Sequence, residues 1–186
     1  MPGTVACPDV KTLVLGGARS GKSAHAEGLL PADGPATYLA TARRVPGDAE
    51  WDARIATHVD RRPATWRTVE VPDTGSLVAA LSAARAGDPP LLLDDVATWL
   101  TGALDDAAAW TTPGITVAAE RARLVDAVAA CAAPLVVVSA EVGLGVVPAT
   151  RSGRLFRDEL GAVNASLAEV STEVLLLVAG LPLRLR

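Results

Sequence analysis

Gly16-Gly17-Ala18-Arg19-Ser20-Gly21-Lys22-Ser23 is the stretch that decides the fold of this 186-residue chain. It matches the pattern G-x-x-x-x-G-K-[ST], and it stands between an apolar run (residues 11–15) that predicts a strand and a segment that predicts a helix. Small residues let the backbone turn so that successive N–H groups face phosphate oxygens, and the helix start adds positive charge. A glycine-rich turn with a chance Lys-Ser pair is the alternative, and the flanking strand and helix argue against it.

The chemistry of such a loop assigns roles to two of its side chains and calls for a carboxylate. Lys22 is expected to reach the β- and γ-phosphates of a nucleoside triphosphate, and the Ser23 hydroxyl to ligate Mg²⁺. Asp94 ends the apolar run LLLD, where α/β sheets present groups to ligands. Strand alternation turns Asp95 to the other face, so Asp94 is the predicted second metal ligand. Capping of the next helix by both acids is the alternative.

Around this loop, short apolar runs alternate with longer amphipathic stretches, which predicts an α/β fold. We expect one P-loop NTPase-type domain over residues 11–186, with a mostly parallel sheet flanked by helices on both faces, and a flexible extension at residues 1–10. Predicted strands lie at 11–15, 36–40, 66–71 (an edge strand), 91–94, 135–139, 174–179 and 183–186. Predicted helices lie at 21–30, 48–59, 76–86, 96–104, 113–131 (Pro113 in its first turn) and 154–170.

Composition excludes several classes of function. The net charge is −4 and the chain has only two lysines, without a basic stripe, so nucleic acid is not an expected partner. No apolar run approaches the roughly 20 residues of a membrane span, and a cytoplasmic protein is expected. Cys7 and Cys131 are far apart in sequence, which predicts unpaired thiols rather than a metal or redox pair.

Several further motifs resemble one family, the bifunctional adenosylcobinamide kinase / adenosylcobinamide-phosphate guanylyltransferases of cobalamin biosynthesis. The phosphate loop has that family's form, GGARSGKS, and YLATA follows at residues 38–42. Residues 54–70 match R-I-x-x-H-x-x-x-R-P-x-x-W-x-T-x-E, and EVGLGVVP (141–148) and FRDELG (156–161, with Asn164 after it) are close to diagnostic. GLPL (180–183) closes a resemblance that covers nearly the whole chain.

This resemblance implies two reactions and a set of residues. ATP or GTP, with Mg²⁺, would phosphorylate adenosylcobinamide, and GMP would then pass from GTP to adenosylcobinamide phosphate through a guanylylated His58, releasing pyrophosphate. It also implies a homotrimer. The implied catalytic residues are His58 and Lys22, the metal ligands are Ser23 and Asp94, and the implied nucleotide-binding residues are Gly16, Gly17, Ala18, Arg19, Ser20, Gly21, Lys22, Ser23, Thr41, Ala42, Arg43, Val59, Asp60, Arg61, Arg62, Glu70 and Asp94.

Elementary chemistry agrees with a histidine nucleophile. The chain has two histidines, His25 and His58, and a neutral imidazole is a competent nucleophile near pH 7. Nearby arginines (Arg54, Arg61 and Arg62) would stabilise the charge of each transition state. Without the surrounding motif, the favoured interpretation of His58 is an ordinary helix-end histidine. His25, one turn into the helix after the loop, is expected to serve packing or a loop contact.

Other positions leave alternatives open. Glu70 would accept from guanine N1–H and N2–H₂ or be an exposed edge-strand carboxylate, and Glu141 and Asp158 are expected to be structural or to face substrate. The chain departs from the family at Arg43 (commonly Gln), Ala97 (Thr), Gly102 (Asn) and Ala140 (Asn), changes that bear on the kinase reaction first. The competing functions are a guanylyltransferase alone, a small-molecule P-loop kinase without a covalent intermediate, and a non-enzymatic nucleotide switch.

Overall fold

The computed structural model describes residues 10–43, 47, 53 and 62–186. Twelve elements lie in these ranges, and they form a seven-stranded sheet with five helices. The strands are β1 (Lys11–Gly16), β2 (Ala36–Ala40), β3 (Trp66–Glu70), β4 (Leu91–Asp94), β5 (Leu135–Ala140), β6 (Glu173–Val178) and β7 (Leu181–Arg184). The helices are α1 (Lys22–Gly28), α2 (Thr74–Ala83), α3 (Val96–Asp106), α4 (Ala118–Ala130) and α5 (Arg151–Val170).

The sheet runs β3-β2-β4-β5-β1-β6-β7. All neighbouring strands are parallel except β7, which pairs antiparallel with β6. β1 therefore lies in the interior, and the loop that leaves its carboxyl end opens between the ends of β5 and β6. This is the edge at which parallel α/β sheets bind ligands.

Two apolar clusters fill the space on either side of the sheet. The larger packs α2, α3, α4 and α5 on one face, with Leu13, Leu93 and Leu100 fully buried within it. The smaller lies under α1 on the other face and includes Tyr38 and Leu92. The predicted doubly covered sheet is confirmed. Among the described residues, no helix is both long enough and apolar enough to cross a bilayer.

Most predicted strands are confirmed, and β3 forms one edge of the sheet as expected. The last strand is shifted, at Leu181–Arg184 instead of 183–186. Apart from residue 53, the helix predicted at 48–59 lies outside the described residues, and so do His58, Val59, Asp60 and Arg61.

The helix boundaries were predicted less well. A helix over 113–131 is wrong at its start, because Gly114 has φ 83° and α4 begins only at Ala118. Pro113 therefore lies in a turn and not in a first helical turn. Arg151 holds that turn by donating to the carbonyls of Ala109, Trp110 and Thr112.

Side-chain caps explain two other misplaced starts. Asp73 and Ser76 form a reciprocal capping box, so α2 begins at Thr74 instead of residue 76, and it ends at Ala83. Thr150 caps α5 by accepting from the Gly153 N–H, so that helix begins at Arg151 instead of 154.

Candidate active site

The phosphate loop is anchored on two sides. Ser20 N–H donates to the Gly17 carbonyl, and the Ser20 carbonyl accepts from Gly180 N–H at 3.0 Å, in the turn between β6 and β7. Gly21 has φ 88°, a left-handed conformation that favours glycine, just before α1 begins at Lys22. The β6–β7 turn thus fixes the loop from outside, and the GLPL motif supplies that turn.

Ser23 and Asp94 are brought together, as the sequence predicted for a metal pair. Ser23 Oγ lies 3.5 Å from Asp94 Oδ1 across the gap between α1 and the end of β4. Hard oxygen donors of this kind suit Mg²⁺, which is usually held by one or two protein oxygens together with phosphates and water. The donor set present therefore fits the ion. No cluster of three or more His, Cys, Asp or Glu suited to a metal occurs among the described residues.

The two adjacent acids have different tasks. Asp95 caps α3, because its carboxylate accepts from the Thr98 N–H at 2.7 Å. Asp94 lies on the α1 side of the sheet, as the alternation with Leu92 requires. Capping of the helix by both acids is therefore wrong for Asp94.

A tyrosine that carried no predicted role completes this carboxylate's surroundings. Tyr38 OH donates to Asp94 Oδ2 at 2.7 Å, and the Arg62 guanidinium carbon lies 3.3 Å from the centre of the Tyr38 ring. Burial, followed by the Asp94 carboxylate, raises the pKa of the Tyr38 phenol, while Arg62 acts in the opposite direction. The phenol thus remains a protonated donor. A signal existed, since a buried tyrosine usually needs a hydrogen-bond partner.

The residues that follow β2 are tied to neighbouring loops. The Thr41 hydroxyl is buried, donates to the Asp95 carbonyl at 2.8 Å and accepts from the Asp95 N–H at 3.1 Å. It therefore locks the end of β2 to the Asp94–Asp95 junction. Glu70 is exposed at the end of β3, in register with Ala40, which in turn pairs with Asp94. The carboxyl ends of β3, β2 and β4 therefore lie side by side, and Glu70 and Asp94 lie at the same edge of the sheet.

Arg43 and Gly102, two of the departures from the family pattern, are in contact. Arg43 forms a bidentate ion pair with Asp106 and donates to the Pro72 carbonyl. This pairing raises the pKa of Arg43 and lowers that of Asp106. A Cβ at position 102 would approach Arg43 Nε to 2.8 Å, so the absence of a side chain there makes room for the guanidinium. Both also line a pocket of about 290 Å³ with Ala97, Thr98, Thr101, Asp105 and Phe156.

This contact predicts coupled effects on stability. Gly102→Ala improves helix propensity by up to about 1 kcal/mol, but it displaces Arg43 from a partly exposed pair worth about 0.2–1 kcal/mol. We expect a near-zero change in the wild type and a stabilisation of about 0.5–1 kcal/mol in an Arg43→Gln background. Urea unfolding of the wild type, Gly102→Ala, Arg43→Gln and the double variant gives the four free energies of unfolding that this double-mutant cycle needs. An equal gain in both backgrounds would show that the two positions are independent.

The diagnostic segment after β5 is held by main-chain contacts. Glu141 Oε1 accepts from Gly143 N–H at 2.6 Å, and Arg157 donates to the Gly143 carbonyl at 2.6 Å. Buried Asn164 accepts from Ser139 and donates to the Ala140 carbonyl. Because Asn164 contacts the backbone carbonyl of residue 140, alanine in place of the family's usual asparagine leaves this hydrogen bond intact. Glu141 thus has one carboxylate oxygen engaged within its own loop, and Asp158 is exposed.

Comparison with known proteins places these features in context. Residues 12–185 match the family model described as cobinamide kinase / cobinamide phosphate guanyltransferase. The bifunctional adenosylcobalamin biosynthesis protein CobP of Pseudomonas aeruginosa is 40% identical over 178 residues, which cover 95% of this chain and 98% of that protein. The corresponding CobU proteins of Salmonella typhimurium and Escherichia coli are 39% and 38% identical, over 94% of this chain and 98% of theirs.

Among solved structures, the chain is similar to an ATPase from the type III secretion system of pathogenic bacteria, with a TM-score of 0.55. The match covers 90% of this chain and 51% of that one, so the chain spans about half the ATPase's length. At 11% sequence identity, the likeness shows a shared fold alone. The P-loop NTPase-type fold predicted from the sequence is confirmed by it.

Proposed function

Because the chain belongs to the cobinamide kinase / cobinamide phosphate guanyltransferase family, we propose that it catalyses both transfers on adenosylcobinamide, using Mg²⁺, with GTP as the guanylyl donor and ATP or GTP as the phosphoryl donor. The family match identifies a transferase of cobalamin biosynthesis. The observation in the structure that supports nucleotide chemistry is the Ser23–Asp94 pair, 3.5 Å apart beside the phosphate loop.

In the kinase reaction, the aminopropanol hydroxyl of adenosylcobinamide attacks the γ-phosphorus, and the nucleoside diphosphate leaves. Lys22, at the start of α1, supplies positive charge to the β- and γ-phosphates. Ser23 and Asp94 would hold Mg²⁺, which when bound neutralises charge on the phosphate oxygens. The cradle of residues 16–23 would position the nucleotide, and Thr41 would support the site by fixing the Asp94–Asp95 junction. No residue of this set needs to form a covalent bond.

In the guanylyl transfer, the His58 imidazole attacks the α-phosphorus of GTP and pyrophosphate leaves. The phosphate of adenosylcobinamide phosphate then attacks the same phosphorus, which breaks the N–P bond, frees His58 and gives adenosylcobinamide-GDP. The cations Arg61 and Arg62 follow His58 in sequence and would stabilise both transition states. Glu70 would read the guanine base through two hydrogen bonds, and Ala42, Val59 and Asp60 would line the nucleotide. Arg43, whose guanidinium pairs with Asp106, would stand at the edge of the nucleotide site.

The two reactions can be separated by labelling the donor. Adenosylcobinamide with γ-labelled ATP or GTP is expected to give labelled adenosylcobinamide phosphate, and α-labelled GTP is expected to convert that product to labelled adenosylcobinamide-GDP. If only the α-label is transferred, to adenosylcobinamide phosphate supplied from outside, the protein is a guanylyltransferase without kinase activity. If only the γ-label is transferred, the protein is a kinase without guanylyltransferase activity. Hydrolysis without either product would support a nucleotide switch.

We also propose a homotrimer, and exposed apolar side chains support an assembly of copies. On β7 and beside it, Leu181 is 72% exposed, and Leu183, Leu185 and Val178 are each more than half exposed. A second group follows β5, with Leu144 82% and Val146 95% exposed. Large apolar side chains gathered on a sheet edge are typical of surfaces that pair with another chain.

Leu181→Glu is therefore expected to shift the protein from trimer to monomer, because it introduces charge into the proposed contact. Light scattering coupled to size-exclusion chromatography measures the mass directly. Leu29→Glu, at a side chain that is 44% exposed at the end of α1, is the matched control and should leave the mass unchanged. A wild-type protein that elutes as a monomer would contradict the trimer.

A further inference from the structure

Tyr38 divides the two oxygens of Asp94 between different partners. It is the only tyrosine of the chain, is 3% exposed, and donates its hydroxyl to Asp94 Oδ2 at 2.7 Å. The other oxygen, Oδ1, lies toward Ser23 Oγ at 3.5 Å. One carboxylate oxygen is thus engaged by the phenol, and the other faces the phosphate loop.

The ring that carries this hydroxyl is itself held from two sides. On one side it belongs to the apolar cluster under α1, with Leu92 and Val136. On the other side the Arg62 guanidinium carbon lies 3.3 Å from the ring centre. Arg62 Nη1 in turn donates to Thr68 Oγ1 at 2.9 Å, and Thr68 is the register partner of Tyr38 on β3. The phenol therefore has little freedom to turn away from Asp94.

We propose that Tyr38 is a positioning residue for the metal site: its hydroxyl fixes the Asp94 carboxylate with Oδ1 toward Ser23, and Arg62 holds the Tyr38 ring in place. This inference rests on the proposed role of Ser23 and Asp94 as Mg²⁺ ligands. The physical reason is orientation. A carboxylate at a strand end rotates about its terminal bond, and a hydrogen bond to one oxygen selects the rotation that presents the other. Loss of such an outer partner typically weakens metal affinity about 10- to 100-fold.

The Tyr38 ring also links the segment that follows His58 in the chain to the proposed metal ligand Asp94. Arg62 lies four positions after His58 in the chain, and its stack on Tyr38 is a direct contact with the group that orients Asp94. A cation over an aromatic face is attracted by the ring's negative face, so the contact is favourable where water is excluded. Arg62 thus acts on the Asp94 carboxylate through Tyr38.

The test is direct binding of Mn²⁺, measured by electron paramagnetic resonance, to the full chain with a non-hydrolysable GTP analogue. Tyr38→Phe keeps the ring and the Arg62 stack and removes only the hydroxyl. We expect it to weaken Mn²⁺ binding about 10-fold, while affinity for the analogue in the presence of EDTA stays unchanged. Thr12→Val deletes a hydroxyl that is equally buried, on β1, and should leave Mn²⁺ binding as it is.

Two further variants separate the possible failures. If Asp94→Asn weakens Mn²⁺ binding and Tyr38→Phe does not, the positioning role is wrong and the metal pair stands. If neither variant changes Mn²⁺ binding, the metal assignment itself fails. Arg62→Ala should weaken Mn²⁺ binding in the wild type and add nothing in a Tyr38→Phe background, because it acts through the phenol. Additive losses would contradict that link. Thermal unfolding of each variant verifies that the chain is folded.

Discussion

Incubation with Mg²⁺ and GTP labelled at the α-phosphorus is expected to leave label on the wild-type chain and none on His58→Ala. A phosphoramidate on His58 forms only if its imidazole nitrogen attacks the α-phosphorus, so removal of that ring abolishes the covalent species instead of slowing it. The label should be lost in acid and kept in base, as the N–P bond predicts. Transfer to adenosylcobinamide phosphate should fall to background in the same variant.

His25→Ala is the matched control for this experiment, because it removes the chain's other imidazole. His25 lies on α1, and its Nε2 atom is buried with no hydrogen-bond partner among the described residues. The His25→Ala variant should therefore retain the label. Loss of label from His25→Ala with retention in His58→Ala would move the covalent step to the other histidine. No label on the wild-type chain would exclude a guanylylated intermediate.

Gly16→Ala is expected to disable the phosphate loop, and Gly17→Ala is not. A Cβ at Gly16 would collide with Ser20 Oγ and lie 3.1 Å from the Leu177 carbonyl, which belongs to the neighbouring strand β6. That carbonyl cannot move without distorting the sheet, so the loop must shift. A Cβ at Gly17 would meet nothing within 4 Å.

Overpacking of this kind costs about 1–3 kcal/mol, which corresponds to about a 5- to 150-fold rise in the GTP dissociation constant if the loop takes all the strain. Calorimetric titration with GTP and Mg²⁺ measures it. Gly17→Ala should bind GTP within about 2-fold of the wild type, since that change relieves or creates no contact. Equal losses in the two variants would mean that phosphates, and not the protein's own packing, demand both glycines.

The fold was predictable because its signals are local. Short, largely apolar runs predicted the bounds of β4 and β2 to the residue, since a strand buried on both faces is apolar over most of its length. Helix starts were less accurate because they depend on side-chain caps. Asp73 and Thr150 cap α2 and α5, and each stands among other polar residues, such as Ser76 and Ser152. The turn at Gly114 reflects a tertiary contact, the Arg151 guanidinium on three carbonyls, that no local pattern contains.

The candidate site, like the fold, was predicted where its signals are local and missed where they depend on tertiary contacts. The motif and strand end led to Ser23 and Asp94, and strand alternation separated Asp94 from Asp95. The observed contacts of Tyr38, Arg62 and Arg43 were not predicted, because each depends on a partner distant in sequence. Arg43 contacts Asp106, 63 positions away, and Tyr38 contacts Asp94, 56 positions away.

By itself, the sequence determined the sheet-and-helix alternation, the phosphate loop at residues 16–23 and the acid at the end of β4. These follow from periodicity and from a backbone geometry that requires glycine at Gly16 and favours it at Gly21, and both signals lie in consecutive residues. Only the tertiary structure decided which oxygen of Asp94 faces Ser23, what holds the other, and why Gly102 accompanies Arg43. The orientation of Asp94 and the contact between Gly102 and Arg43 depend on strands and helices that meet only in the folded chain. Hydrogen bonds and steric contacts act over a few ångströms in space, whatever the separation of the residues in sequence.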